Sequence, residues 1–145
     1  MAYVHVAHDC VIGNQTIMAN NATLAGHVHV GDWVVFGGFS GAHQFCKIGA
    51  HAFIGMYAGV SQDIPAYSMV FGTPGKVRGI NSEGLKRRGF TPEQIRNIKN
   101  AHRITFRSGK KLDIAIEEIA ELAKTQPELT IYLDSLRSSE RGVAR

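Results

Sequence analysis

Six of the seven histidines fall between residues 5 and 51. Histidine exchanges a proton near neutral pH and fills structural space poorly, so crowding of this kind points to chemistry. Their spacing sharpens the point. His8, Gly26 and Gln44 stand 18 residues apart, and Asp9, His27 and Phe45 repeat the interval one residue on. His43 precedes Gln44. If residues 18 apart are superposed, one edge of the molecule collects His8, His27, His43 and Gln44 with the Asp9 carboxylate and the Gly26 backbone. These are the parts of an acyl-transfer site. His8 can take a proton from a hydroxyl nucleophile. Asp9 can set the tautomer of His8 and steady its protonated form. The Gly26 amide, about 5 Å along the stack, can stabilise an oxyanion. No side-chain nucleophile has the required setting, which argues for direct transfer without a covalent intermediate. The rival reading is a metal site with His8 and His27 as ligands, but no Cys/His spacing of a closed site accompanies them, and none is expected. Taken singly, each histidine reads as a surface or satisfied one; the grouping carries the function.

The elements that superpose these residues are visible in a six-residue period. Val6, Ile12, Met18, Leu24, Val30, Phe36, Ala42, Ile48, Ile54 and Val60 form an unbroken apolar series. The residue after each is small, with His43 the exception, and the residue two before the next apolar one is small or aliphatic. Six fits neither an α-helix nor an ordinary strand; it is the period of a hexapeptide β-helix. Three hexads make one triangular turn, and turns stack at about 4.8 Å. The small residue is expected to let the chain bend at each corner. The alternative, a Gly-rich sandwich or barrel, would place its turn signals irregularly.

Past Val60 the period decays through Pro65, Gly72, Pro74 and Gly75, and helical signals follow. Asn81 to Arg88 reads as a short helix closed by Gly89. Thr91-Pro92-Glu93-Gln94 is a capping box with proline at the first helical position, opening a helix to about Arg107. An amphipathic helix from about Leu112 to Thr125 and another after Pro127 complete the chain. The division expected is coils over 1–75 and a helical region over 76–145, the helices capping one end of the prism. Met1 opens directly into the repeat, whereas terminal repeats need a cap; the chain therefore reads as the C-terminal part of something longer.

The 145 residues suffice for about one domain. No apolar run approaches a membrane span, and His5, His8 and Asp9 interrupt any signal-peptide pattern. Cys10 and Cys46 are two turns apart, about 9–10 Å, too far to bridge, so both read as packed free thiols, consistent with a cytoplasmic location. Charge is divided sharply. Residues 1–75 carry Lys47 against three aspartates, and residues 76–111 carry eleven Lys/Arg against Glu83 and Glu93. That block suits an acidic partner, or is a solvated helix surface. Nucleic acid is the least suitable partner, because the block lacks interleaved aromatics and any known motif.

Four stretches carry a resemblance: His5-Val6-Ala7-His8-Asp9-Cys10, Asn20 to His27, His43-Gln44-Phe45-Cys46, and Asn81-Ser82-Glu83-Gly84-Leu85-Lys86-Arg87-Arg88-Gly89. Over essentially its whole length the chain resembles the UDP-N-acetylglucosamine O-acyltransferases, the first enzymes of lipid A biosynthesis. Hexads alone are shared by many acyltransferases; the histidine motifs together with the last stretch are specific. The resemblance implies a homotrimer of left-handed parallel β-helices, each followed by helices, with active sites in clefts between subunits. It implies transfer of an (R)-3-hydroxyacyl group from acyl carrier protein to the glucosamine 3-hydroxyl of UDP-N-acetylglucosamine, with no cofactor. It makes His8 the general base, Asp9 its orienter and Gly26 the oxyanion donor. It places His5, His27, His43 and Gln44 along the donor and sugar-nucleotide site, and Asn81, Glu83, Arg87 and Arg88 in the nucleotide set, where guanidinium suits phosphate. The basic helices would meet the acidic carrier protein. Met56, stacked on Gly38 and Asn20, falls where the family sets acyl length and implies a shorter chain of the hydroxydecanoyl kind; as a mere gap-filler it would imply nothing. Family members carry further N-terminal hexads, with a site lysine and aspartate, that this chain lacks. Two other functions stay open: a related hexapeptide N-acyl- or acetyltransferase, against which the Asn81–Gly89 stretch argues, and a non-catalytic oligomerising β-helix.

Overall fold

The computed structural model describes all of residues 1–145. Ten two-residue strands recur every six residues: β1 His5–Val6, β2 Val11–Ile12, β3 Ile17–Met18, β4 Thr23–Leu24, β5 His29–Val30, β6 Val35–Phe36, β7 Gly41–Ala42, β8 Lys47–Ile48, β9 Phe53–Ile54 and β10 Gly59–Val60. They stack in parallel into three faces of a prism: β1-β4-β7-β10, β2-β5-β8, and β3-β6-β9. Every pairing joins residues 18 apart, as in Val6↔Leu24 and Val30↔Ile48. The six-residue apolar series and the preceding small series both point inward, and Ala22, Leu24, Val28, Val34, Phe36, Cys46, Ala52 and Ile54 are fully buried in one core. Cys10 and Cys46 are free, with Val28 between them in their column. At the first coil the interior is open: Val6 is 43% exposed, against 0% for Leu24 above it.

The corners correct one expectation. The bend is made two or three residues beyond the apolar position, where Tyr3, Asp9, Gln15, Asn21, His27, Trp33, Phe39, Phe45, His51 and Tyr57 all adopt positive φ. The left-handed conformation is unfavourable for such side chains. From Asn21 onward each is held there by a ladder bond to the coil before it, as when His27 N–H donates to His8 O at 3.0 Å. The small residue after the apolar one serves close stacking instead: a Cβ on Gly31 would lie 2.6 Å from the Ala50 nitrogen, and one on Gly37 2.6 Å from that of Met56.

The coil then shortens by two residues, so that Ile48 bridges Ile64 and Met69 pairs with Phe53. The segment where the period decays is not merely irregular. Strand β11 (Ser68–Phe71) joins the β9 edge and turns back antiparallel into β12 (Lys76–Ile80) through a cis Thr73–Pro74 bond. Residue 75 lies in that turn. The helices α1 Ser82–Arg87, α2 Pro92–Phe106, α3 Leu112–Ala123 and α4 Leu129–Arg137 follow. The expected capping box is present at Thr91 and Gln94. The helices form a second core with Ala66, Tyr67 and Ile80 on the outside of the last coil. What enters the end of the prism is the tail: Val143 bridges Asp63, and Ala144 is buried in the solenoid core. Asp63, itself buried, ties the tail down by accepting from Ser139 Oγ at 2.7 Å, from Glu140 and Arg141 N–H at 2.9 Å, and from Lys47 N–H at 2.8 Å. No helix is long and apolar enough to cross a membrane.

Candidate functional site

The corner between the faces of β1 and β2 carries residues 8/26/44 in one column and 9/27/45 in the next, as the 18-residue register requires. Neighbouring side chains on a strand diverge, but Asp9 has φ 58°. The turn brings its Oδ2 to 2.9 Å from His8 Nδ1. That bond and the nearby His27 ring hold the Asp9 carboxyl below its usual range. An ionised Asp9 only accepts, so the His8 proton sits on Nδ1 and the Nε2 lone pair is free. His27 Nε2 is 3.7 Å from the same oxygen. Its ring meets His8 edge-on at 5.1 Å and stacks on Phe45 at 4.8 Å. Gly26 is buried directly under His8: a Cβ there would lie 2.6 Å from His8 Cε1 and 2.7 Å from Nε2. The Gly26 N–H has no partner within the chain. An unpaired donor beside a free imidazole nitrogen is an arrangement for charge developing on an oxygen.

The other residues expected on this edge lie around that centre. His43 and Gln44 are exposed on the following coil, with His43 Nδ1 3.2 Å from the Gln44 carbonyl oxygen. His5 is exposed on β1. None of the three bonds to the His8–Asp9 pair. The donor atoms of His8, Asp9 and His27 lie within 4.8 Å of one another, a grouping able to hold a cation.

The remaining expected residues are on different edges. Asn81, Glu83, Arg87 and Arg88 gather at the second corner around a cavity of about 620 Å³, lined also by Gln15, Thr16 and Trp33. Buried Asn81 caps α1 by accepting from Gly84 N–H and donates Nδ2–H to the His51 carbonyl at 3.1 Å. Arg88 lies over Trp33 at 5.3 Å and meets His51 Nδ1 at 3.0 Å. Glu83 pairs only with Lys86. Met56 is at the third corner, 63% exposed, with Cε 3.7 Å from where a Gly38 Cβ would be. One chain thus holds the three expected groups on three edges, not in one pocket.

Sequence reasoning missed the aromatic column of the second corner, Trp33, His51 and Tyr67. Trp33 and His51 share the 18-residue spacing, which was the available signal; Tyr67 is displaced by the shortened coil. The basic block of 76–111, read as suiting an acidic partner, gathers in part in a groove of about 800 Å³ between β12 and α2, where Arg78, Arg96, Lys99, Arg103 and Arg107 have no acidic partner.

Comparison with known proteins bears on this geometry. The family model described as UDP N-acetylglucosamine O-acyltransferase, domain 2, matches residues 63–144. A curated acyl-[acyl-carrier-protein]–UDP-N-acetylglucosamine O-acyltransferase from Stutzerimonas stutzeri is 48% identical over all 145 residues, which cover 56% of its length. The Pseudomonas aeruginosa PAO1 protein of the same name is 46% identical over the same span. Among solved structures, the UDP-N-acetylglucosamine acyltransferase of Francisella novicida superposes with a TM-score of 0.97 at 44% identity, over 100% of this chain and 53% of that one. The Acinetobacter baumannii structure gives 0.95 at 44% identity, over 98% and 55%. The chain therefore spans about half the length of the curated relatives it matches. The likeness covers the whole solenoid, whose coil has the left-handed sense of that fold.

Proposed function

This chain belongs to the UDP-N-acetylglucosamine O-acyltransferase family, and on that premise we propose that it supplies the base, the oxyanion donor and the nucleotide-binding residues of such an enzyme. The reaction is transfer of an (R)-3-hydroxyacyl group from acyl carrier protein to the 3-hydroxyl of UDP-N-acetylglucosamine, the first step of lipid A biosynthesis, in the cytoplasm. The observation that carries this reading is the His8–Asp9 pair seated on the unpaired Gly26 amide.

His8 Nε2 takes the proton of the sugar 3-hydroxyl as its oxygen attacks the thioester carbon. The oxyanion of the tetrahedral intermediate accepts from Gly26 N–H. Collapse breaks the C–S bond, and the leaving thiolate takes the proton back from the imidazolium. Asp9 steadies that imidazolium throughout. The proton needs no metal or cofactor to carry it. His5, His27, His43 and Gln44 border the path of donor and sugar, and Asn81, Glu83, Arg87 and Arg88 hold the nucleotide, Arg87 and Arg88 facing its phosphates. The unpaired cations of the β12–α2 groove are the surface for the acidic carrier protein. Assembly as a homotrimer is favoured by the placement of the three groups on three edges, since only a second copy can bring one edge against another.

The test is turnover with UDP-N-acetylglucosamine and acyl carrier donors in the full-length enzyme. His8→Ala is expected to lower turnover by about 10³-fold or more with assembly intact; retained turnover refutes the base. In the same assay Met56→Gly is expected to move preference toward longer donors, and an unchanged preference removes Met56 from the acyl groove.

A further inference from the structure

Arg88 is held without being neutralised. Its Nη1 lies 3.0 Å from His51 Nδ1. A guanidinium only donates, so Nδ1 is the acceptor and the His51 proton is on Nε2. No carboxylate pairs with Arg88. Its guanidinium carbon lies 5.3 Å from the centre of the Trp33 ring. The acceptor is clamped in turn. His51 is 8% exposed, stacks between Trp33 at 6.3 Å and Tyr67 at 5.5 Å, and meets Phe90 edge-on at 5.2 Å. Its carbonyl receives Asn81 Nδ2–H. A single corner residue thus touches two members of the nucleotide set, one through its ring and one through its backbone.

We propose that His51 is a positioning residue: its neutral ring aims the Arg88 guanidinium into the cavity while leaving the full positive charge for the phosphates of a uridine nucleotide. This rests on the nucleotide reading of that cavity. An aspartate or glutamate could orient the same guanidinium, but would cancel the charge the ligand needs. Burial, with Arg88 as a further cause, holds the His51 ring at a pKa of about 4, so it remains an acceptor at neutral pH.

The coil itself supplies the controls. Phe39 and Phe45 occupy equivalent corner positions with φ 57° and 67°, and Gln15 does so with φ 58°. His51→Phe therefore keeps the stack and removes the acceptor, while His51→Gln keeps a neutral acceptor and removes the stack. Binding of UDP-N-acetylglucosamine to the full-length enzyme is measured by calorimetry, with Arg88→Ala as reference and thermal midpoints recorded alongside. His51→Phe is expected to weaken binding about tenfold with its midpoint little changed, and His51→Gln to stay within about threefold of the parent. If His51→Phe binds like the parent while Arg88→Ala is weakened, the positioning role is overturned and the nucleotide site stands. If His51→Gln loses as much as Arg88→Ala, the stack and not the acceptor matters, and the proposal falls. If Arg88→Ala binds like the parent, or the parent does not bind, the nucleotide reading falls and this role with it.

Discussion

Gly26 lies under the ring of His8, where an added methyl group would come within 2.6 Å of Cε1. Its φ is not in the left-handed region, so alanine brings no backbone strain there. His8 is exposed, and its ring can swing aside at little cost to the fold. The misplaced Nε2 is another matter, because proton transfer and oxyanion contact both depend on sub-ångström placement. Gly26→Ala in the full-length enzyme is expected to lower turnover about 10²-fold while shifting the thermal midpoint by no more than about 2 °C. Full turnover would show that the close seat of the ring is not required. At this scale the sequence was legible wherever chemistry repeated at 18. His8, Gly26 and Gln44 could be superposed on paper because the interval alone defines their column. The pairing of Asp9 with His8 was expected from their adjacency, but the left-handed turn at Asp9 that makes it possible was not legible. Nor was Asp63, whose tail partners lie 76 to 78 residues along the chain.

Hexads were legible as elements because every one repeats the same two inward positions. Helices α1 and α2 were legible because their starts carry capping residues, Asn81 and Thr91, and α3 and α4, which have no side-chain cap, through their apolar periodicity. The β11–β12 hairpin escaped notice because Gly72, Pro74 and Gly75 are turn residues whether or not strands flank them. The end of the prism was also misjudged: the tail, not a helix, fills it. That tail is fastened through one carboxylate with four donors. Asp63→Ala strands Lys47 N–H and frees the 139–141 segment, so a loss of roughly 3 kcal/mol is expected, read as a lower denaturant midpoint. A loss below about 0.5 kcal/mol would mean that the backbone bridge at Val143 and the packing of Ala144 hold the end without the carboxylate.

Across the whole molecule, the solenoid contributes the imidazole edge and the helical region contributes the cations. The eleven basic residues of 76–111 are concentrated on β12, α1, α2 and the loops around them, away from the nearly uncharged coils. This separation places the positive potential beside the second corner and the His8–Asp9–His27 cluster at the first. It gives an acidic partner a surface to meet without crowding the base.

The strict coil length also governs what the chain can absorb by insertion. An extra segment of six residues preserves the rhythm of the interior, yet advances everything beyond it to the next edge, like a clock moved forward by a third of its dial. Duplicating residues 31–36 would leave Gln15 and Trp33 where they are and carry Asn81 and Arg88 elsewhere. Such a chain is expected to keep its β circular dichroism and lose nucleotide binding, whereas five added residues should turn the interior outward and prevent folding. Eighteen is the smallest increment that keeps every side chain at its own address. Growth or loss in this lineage is therefore expected in whole turns, and a six-residue variant that still binds nucleotide would contradict it.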